Sequence, residues 1–454
     1  MRGIVADHLH LRCPPSEISA LPNVSPSLLW TSLFAFFLLA GLALRLWLAS
    51  RQMRHVARHR DQVPTDFAGS IALAAHQRAA DYTIAKGRFG LIEMALGAAV
   101  VLGWTLLGGL DALNQWLITM MGGGLWQQLA LLACFVLISG AIDLPVSYYQ
   151  TFVIEQRFGF NQTTVKLWLS DLLKSALLGA VIGLPLAALI LWLMGAAGSY
   201  WWLWAWAVWM AFNLLLMVVY PLFIAPIFNK FKPLDDVSLN ARVTALMQRC
   251  GFTSKGLFVM DGSRRSAHAN AYFTGFGAGK RVVFYDTLLK QLTTEEVEAV
   301  LAHELGHFKH RHITRRIVGM FAMSLAGLAL LGWISTKGWF YTGLGVMPNF
   351  NLPGVDGSAP NDALALLLFM LAVPVFTVFL SPLFAQLSRK HEFEADAYAV
   401  AQTRGADLAS ALLKLHEDNA STLTPDPVYV KFYYSHPPAT ERLARIPHAS
   451  GVAA

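Results

Sequence analysis

Charge is what this chain has least of. Asp, Glu, Lys and Arg make up 14 % of its 454 residues, against about 25 % in soluble domains. A surface turned wholly to water is therefore excluded. Cysteine is also scarce. Cys13, Cys134 and Cys250 are scattered, which rules out a disulfide framework and a cysteine-based metal site. Internal repeats and low-complexity stretches are absent. An acidic balance is absent too: the net charge is +7 and the pI is about 9.3. Basic loops beside a bilayer account for that better than nucleic-acid binding does.

What the chain has instead is long apolar runs. About 20 helical residues cross a hydrocarbon core, and seven runs qualify. They lie near 28–49, 89–110, 125–145, 172–194, 201–224, 317–335 and 363–387. Residues 1–27 read as a short polar lead-in. The first run starts too late and is too long for a signal-peptide core, so it is read as an uncleaved span. Between the first two spans, Arg51 to Arg88 reads as a polar helical stretch. The expected layout is an α-helical membrane protein in four parts. Residues 1–228 carry the lead-in and five spans, 229–316 a polar block, 317–387 two more spans and 388–454 a polar tail. Nearly all of the 35 Lys and Arg residues fall in 50–88, 146–174, 229–316 and 388–454. The short loops at 111–124 and 195–200 have none. The positive-inside rule then puts both polar blocks and the C-terminus on the cytoplasmic face, of a bacterial inner membrane or an endoplasmic reticulum.

Within the polar block, Leu239–Cys250 has the period of a short amphipathic helix. Gly256–Asp261 and Arg281–Tyr285 read as strands. Ser266–Phe276 reads as an edge-like third strand with glycines at its end, able to pair with an extended substrate. Thr293 or Thr294 caps a helix with Glu295, Glu296 and Glu298 near its start. That helix carries His303-Glu304-Leu305-Gly306-His307. Positions i and i+4 share a helix face, so His303 and His307 can aim two imidazoles at one zinc ion. Glu304 can reach a zinc-bound water as general base.

A catalytic zinc takes three protein ligands and keeps a position open. The downstream candidates are His310, His312, His391, Glu392, Glu394, Asp396, His416, His436 and His448. His310 faces the metal only marginally. His312 is expected to point away, in a basic run (Lys309 to His312) read as a solvated, lipid-facing surface. The better candidate follows the last span: Glu392 and Asp396 share one helix face, and Glu394 does not. Glu392 is the expected ligand, with Asp396 bonded to the far nitrogen of a ligand histidine. Ser435-His436-Pro437-Pro438 reads either as a rigid turn or as the source of a cationic donor for a tetrahedral intermediate.

Five segments, taken in order, carry a resemblance. They are Phe152-Val153-Ile154-Glu155 with Phe158-Gly159-Phe160-Asn161, His268 to Phe273, His303 to His307, Glu392 to Ala397, and Tyr434 to Arg442. The chain resembles the type I CAAX prenyl endopeptidases, integral membrane zinc proteases of the gluzincin type. The resemblance implies one zinc ion on His303, His307 and Glu392, with Glu304 activating water. It further implies that Asp396 orients a ligand histidine, that Arg442 pairs near Asp396, and that His436 stabilises the oxyanion. His268, Asn270, Ala271 and Tyr272 would line the substrate groove. The implied fold is a barrel of seven long helices around a water-filled chamber, capped by an α+β zinc domain. Glu93 and Asp143, placed within or at the end of spans, agree with such an interior. The implied substrate is a prenylated CAAX-type protein, cut near its C-terminus by a monomeric enzyme in the bilayer, with no nucleic-acid partner. Other readings are a membrane quality-control protease of the heat-shock type, a multispan transporter with a regulatory zinc site, and a catalytically dead scaffold. Seven spans and the Phe158-Gly159-Phe160-Asn161 and Ser435-His436-Pro437-Pro438 segments favour the first reading over the heat-shock type. Spans nearly free of ionisable residues argue against a transporter, and Glu304 argues against a dead scaffold.

Overall fold

The computed structural model describes residues 25–252, 256–274, 281–349 and 360–447. Most of the lead-in, the glycines after the third strand, and His448 lie outside the described residues. Among the described residues seven helices are long and apolar enough to cross a membrane, one for each expected span. Most extend well beyond the apolar core: the first covers Pro26–Arg58 and the last Asp362–Gln402.

The first half comprises α1 (Pro26–Arg58), α2 (Leu73–Trp104), α3 (Gly109–Met121), α4 (Leu125–Tyr149), α5 (Val165–Ala196), α6 (Trp201–Val219) and the short α7 (Ala225–Phe228). Two readings are corrected here. The 111–124 stretch is mostly the helix α3, whose Leu110, Asn114 and Leu117 face inward. α4 itself runs on into a π-type turn at Gln150–Glu155. The Arg51–Arg88 stretch is helix only at its ends, with a break at 59–72 around Pro64.

The polar block begins with β1 (Phe231–Pro233) and α8 (Val237–Arg249), followed by β2 (Leu257–Met260), β3 (Ala271–Thr274), β4 (Arg281–Tyr285) and α9 (Asp286–Gln291). The sheet order is β1-β2-β4-β3. β2 runs parallel to β4, and β1 and β3 are antiparallel to their neighbours. β3 is thus an edge strand, as its sequence suggests. Next come α10 (Thr294–Lys309), α11 (His312–Ile334), α12 (Gly338–Thr342), α13 (Asp362–Thr377), α14 (Ser381–Gln402), α15 (Gly405–Asp418), α16 (Pro427–Tyr433) and α17 (Ala439–Leu443).

The membrane helices form a closed circuit. Each of α1 to α6 packs on the next, α6 packs on α11, α11 on α13, and α13 returns to α1. Their shared core sits at one end, where Phe34, Leu110, Leu131, Leu191, Phe340 and Leu368 are sealed from solvent. Away from that end the helices bury little. α4 buries nothing after Leu131, and α5 buries only Leu191, Leu193 and Met194. α2 has no buried residue between Tyr82 and Trp104. A helix that packs on its two ring neighbours yet fully buries nothing in mid-span has lipid on one side and open space on the other. The ring therefore encloses a chamber, closed at the packed end.

A second core holds the protease fold. It joins Val243 and Leu246 of α8, Phe284 of β4, Leu301, Ala302 and Leu305 of α10, Ala399 of α14, and Leu408 and Leu412 of α15. The chain leaves this core along α11 and re-enters it along α14. Residues separated by two membrane spans are thereby packed together.

Candidate metal centre

The site is made by two helices in close contact. α10 starts with a capping box: Thr293 and Glu296 exchange side-chain and backbone bonds. Its Leu301, Ala302 and Leu305 face the protease core, which turns His303 and His307 toward α14. On α14 the buried residues are Ala385, Glu392, Ala395, Asp396 and Ala399. From Glu392 to Ala399 they follow helical spacing, so both carboxylates share the face that meets α10. The approach is close because Gly306 has no side chain. A β-carbon there would lie 2.9 Å from the Cα of Ala395.

Three donors converge where the helices meet. His303 Nε2 and His307 Nε2 are 3.3 Å apart. Glu392 places Oε2 3.5 Å from the first and Oε1 3.4 Å from the second. Tetrahedral zinc with bonds of about 2.0–2.1 Å requires donors about 3.3–3.4 Å apart, so the set fits one such ion. Electrostatics agree. Burial opposes charge on His303, yet the Asp396 and Glu392 carboxylates outweigh it and hold its pKa up at about 9. A cavity that stabilises a buried cation in this way suits a metal.

The surroundings are ordered. His303 Nδ1 donates to Asp396 Oδ1 at 2.8 Å. Asp396 is gripped by Arg442, whose Nε reaches Oδ2 at 2.8 Å and whose Nη2 reaches Oδ1. All three side chains are buried. Glu304 is half-buried and makes no hydrogen bond or ion pair among the described residues. His436 is mostly exposed, with Nδ1 2.7 Å from Glu392 Oε2. That oxygen has no aligned hydrogen bond, as expected of a ligand atom awaiting a cation.

The expected groove residues lie on and before the edge strand. Asn270 is exposed at the start of β3, with Oδ1 accepting from the Ala271 amide. Tyr272 is T-stacked on Tyr285, and burial pushes its hydroxyl up to about 12, so it stays neutral. His268 stands behind the strand. Its ring stacks on Phe160 at 4.4 Å, Nδ1 donates to Asn419, and Nε2 is 3.7 Å from Glu155. Glu155 in turn accepts from Tyr82 and pairs with Lys86. The Phe152–Asn161 segment therefore joins the ring to the groove, through the Phe160 stack and an Asn161–Ser266 bridge. Its sequence gave no hint of that role.

One reading fails. His312 is neither lipid-facing nor solvated: it is 4 % exposed, with Nδ1 3.0 Å from His307 Nδ1. In an unbroken helix a residue five places on is rotated about 140° from its start, which is why it was expected to point away. Here Arg311 adopts a left-handed conformation (φ 56°) between α10 and α11. That break folds His312 back beneath His307. His391, Glu394 and His310 gather round His312 and do not join the metal donors.

Two histidines and a carboxylate at zinc spacing, with a free glutamate next to the first histidine, define a metallopeptidase whose catalytic helix runs into a membrane ring. Comparison with known proteins gives the particular family. Residues 52–230 match the CAAX prenyl protease N-terminal region with five membrane helices, and 233–450 match peptidase family M48. The CAAX prenyl protease 1 homolog of Arabidopsis thaliana is 39 % identical over 74 % of this chain and 75 % of its own. The homolog of Homo sapiens is 30 % identical over 90 % and 94 %. The crystal structure of S. mikatae Ste24p superposes with a TM-score of 0.86 at 30 % identity, covering 94 % of this chain and all of that one. The chain belongs to the type I CAAX prenyl protease family, metalloendopeptidases of the membrane.

Proposed function

We propose that this chain hydrolyses a peptide bond near the C-terminus of prenylated CAAX-type proteins, with His303, His307 and Glu392 holding a single zinc ion. The observation that carries the proposal is the 3.3–3.5 Å spacing of the two Nε2 atoms from each other and from the Glu392 carboxylate oxygens. Zinc held there supplies Lewis-acid polarisation of the scissile carbonyl and acidifies water.

The chain's own residues do the rest. The unpartnered Glu304 carboxylate takes a proton from the attacking water and returns it to the leaving amine. Asp396, fixed by Arg442, keeps the proton of His303 on Nδ1 and leaves Nε2 free to bind metal. The substrate lies extended along β3, paired to its backbone, with Asn270 and Tyr272 beside it. His436, exposed at the edge of the centre, turns its ring to the oxyanion, a contribution of about 2.7–4 kcal/mol for one such donor.

The placement suits a lipidated substrate. Only His310 and Arg311 separate the metal-binding helix from α11, so the centre stands within a turn or two of the membrane boundary. On this reading the protease half is discontinuous, 229–316 and 388–454, and faces the cytoplasm as a monomer.

The test is Glu304→Gln in purified protein. Zinc content should stay at wild-type level while cleavage of a farnesylated peptide falls at least a thousandfold. Equal cleavage by the two proteins would sink the assignment.

A further inference from the structure

The two ligand histidines are braced differently, and one brace is unassigned. His303 has a carboxylate on its outer nitrogen. His307 has another histidine: His312 Nδ1 lies 3.0 Å from His307 Nδ1, and His312 Nε2 lies 2.8 Å from Glu394 Oε2. The His391 ring is parallel to His312 at 4.0 Å, and His310 is nearly parallel at 5.5 Å. Those rings flank a side chain that is itself buried and whose plane is set by its two nitrogen contacts.

Proton counting allows one arrangement. A metal on His307 Nε2 leaves the proton of the neutral imidazole on Nδ1, where it donates to His312 Nδ1. His312 then carries its own proton on Nε2 and donates to Glu394. Both bonds point away from the metal and end on a carboxylate. That is the usual way the outer nitrogen of a ligand histidine is held, here with one ring interposed. We infer that His312 and Glu394 form a two-step relay that fixes the tautomer and orientation of His307, as Asp396 does for His303. The inference rests on reading His303, His307 and Glu392 as the metal ligands. It makes metal affinity depend on the junction of two membrane helices, since His312 opens α11 and Glu394 sits on α14. Substrate-driven movement at that junction would reach the metal through His307.

The same side chains suggest a rival. Donor atoms of His312, His391 and Glu394 lie within 4.8 Å of one another, as in a second cation site. The geometry favours the relay. Both nitrogens of His312 are already engaged, and His391 lies against it face to face, so their lone pairs do not converge.

The experiment measures the zinc dissociation constant of the purified full chain by chelator competition, together with zinc per chain. His312→Ala should weaken zinc 10- to 100-fold. His312→Asn, whose amide oxygen can take the place of Nδ1, should recover most of that loss. Glu394→Gln should weaken zinc several-fold in the wild-type background and not at all on top of His312→Ala, because the relay is already cut. His391→Ala should bind one zinc with affinity within twofold of wild type. The inference is overturned if Glu394→Gln and His312→Ala both bind zinc like wild type. A second zinc per chain that His391→Ala removes overturns it equally. Should His312→Ala fail to fold, Glu394→Gln measured with and without His312→Asn decides, because Glu394 is partly exposed and its loss spares the core. His307→Ala separates the two levels. If that variant retains zinc, the ligand reading itself has failed. If it loses zinc while the His312 and Glu394 variants do not change, only the relay has failed.

Discussion

At the closed end of the ring the contacts are dry. Phe34, Leu110, Leu131, Phe340 and Leu368 pack on one another, Tyr341 bonds the Ser335 carbonyl, and the buried amides of Gln127, Asn114 and Asn349 form an uncharged hydrogen-bonded chain. At the protease end the helices are tied by charge. Asp426, beside α16, accepts from Arg51 of α1 and from two amides of its own turn. Arg265 joins Asp171 of α5 to Asn229 and the Phe228 carbonyl, and Glu155 collects Tyr82, Lys86 and His268. The difference follows from what each end encloses. A closed end excludes water and can be held by dispersion, fit and a few neutral hydrogen bonds. An end that opens on the chamber and carries the metal-binding donors is better held by polar pairs, which tolerate water and fix direction. The closed end should therefore set stability, and the protease end the chemistry.

Beyond the loss of Glu304 itself, the largest expected effect lies where the two site helices touch. In Gly306→Ala the new methyl meets the backbone of Ala395, so α14 must move off α10 and carry Glu392 away from the histidines. Misplacement by about 1 Å costs on the order of a hundredfold in rate. Farnesyl-peptide cleavage should fall by that much or more, with weaker zinc binding and little change in melting temperature. An equal loss from a change in the dry core would break the comparison.

Phe340→Ala supplies that control. Truncating a sealed phenylalanine costs about 3–5 kcal/mol, so the melting temperature in detergent should drop sharply. Cleavage per folded molecule and the zinc dissociation constant should stay within twofold of wild type.

The protease end should also be the pH-sensitive one. Burial pushes His416 down to about 4, with the nearby Arg442 and His436 adding to it against the hydrogen bond that His416 Nδ1 donates to the Leu412 carbonyl. In the unfolded chain His416 takes up its proton near 6.5. Below that pH the unfolded state binds a proton that the folded state refuses. The stability contribution is thus complete above 6.5 and is lost as pH falls toward 4, on the order of 3 kcal/mol. His416→Phe should flatten the melting-temperature profile between pH 6.5 and 4.5. An unchanged slope would remove His416 from the account.

How far the sequence reached can be told from these same residues. The seven spans were legible because a bilayer imposes length and apolarity on each helix separately. His303, His307, Glu392 and Asp396 were legible because i and i+4 spacing survives any tertiary packing. The edge position of β3 followed from its place between two strand-like segments. What could not be read depended on neighbours remote in the chain. Gly306 stands out only beside Ala395, across two spans. His312 was misread because Arg311, a residue that seldom turns left-handed, breaks the helix there without a glycine to announce it. The part played by Phe160 needed the knowledge that His268 lies over it.

The smallest expected effect asks whether the start of the metal-binding helix belongs to stability or to chemistry. Thr293 Oγ1 accepts the Glu296 amide at 3.4 Å, and Glu296 Oε2 accepts the Thr293 amide at 2.7 Å. Thr293→Ala removes only the longer of these bonds. Glu296 stays in place, held by Ser410 and Lys414 of α15. The cost should therefore fall at the low end of the range for lost caps, about 0.5–1 kcal/mol. Thr293→Ser should restore it. His303 lies more than two helical turns further on, inside the part of α10 held by the core and by α14. Fraying at the cap should not reach it, and zinc affinity and cleavage should match wild type. A fall in zinc affinity with Thr293→Ala would show that the helix transmits strain from its solvent end to the metal, and that the division between the two ends is less sharp than their contacts suggest.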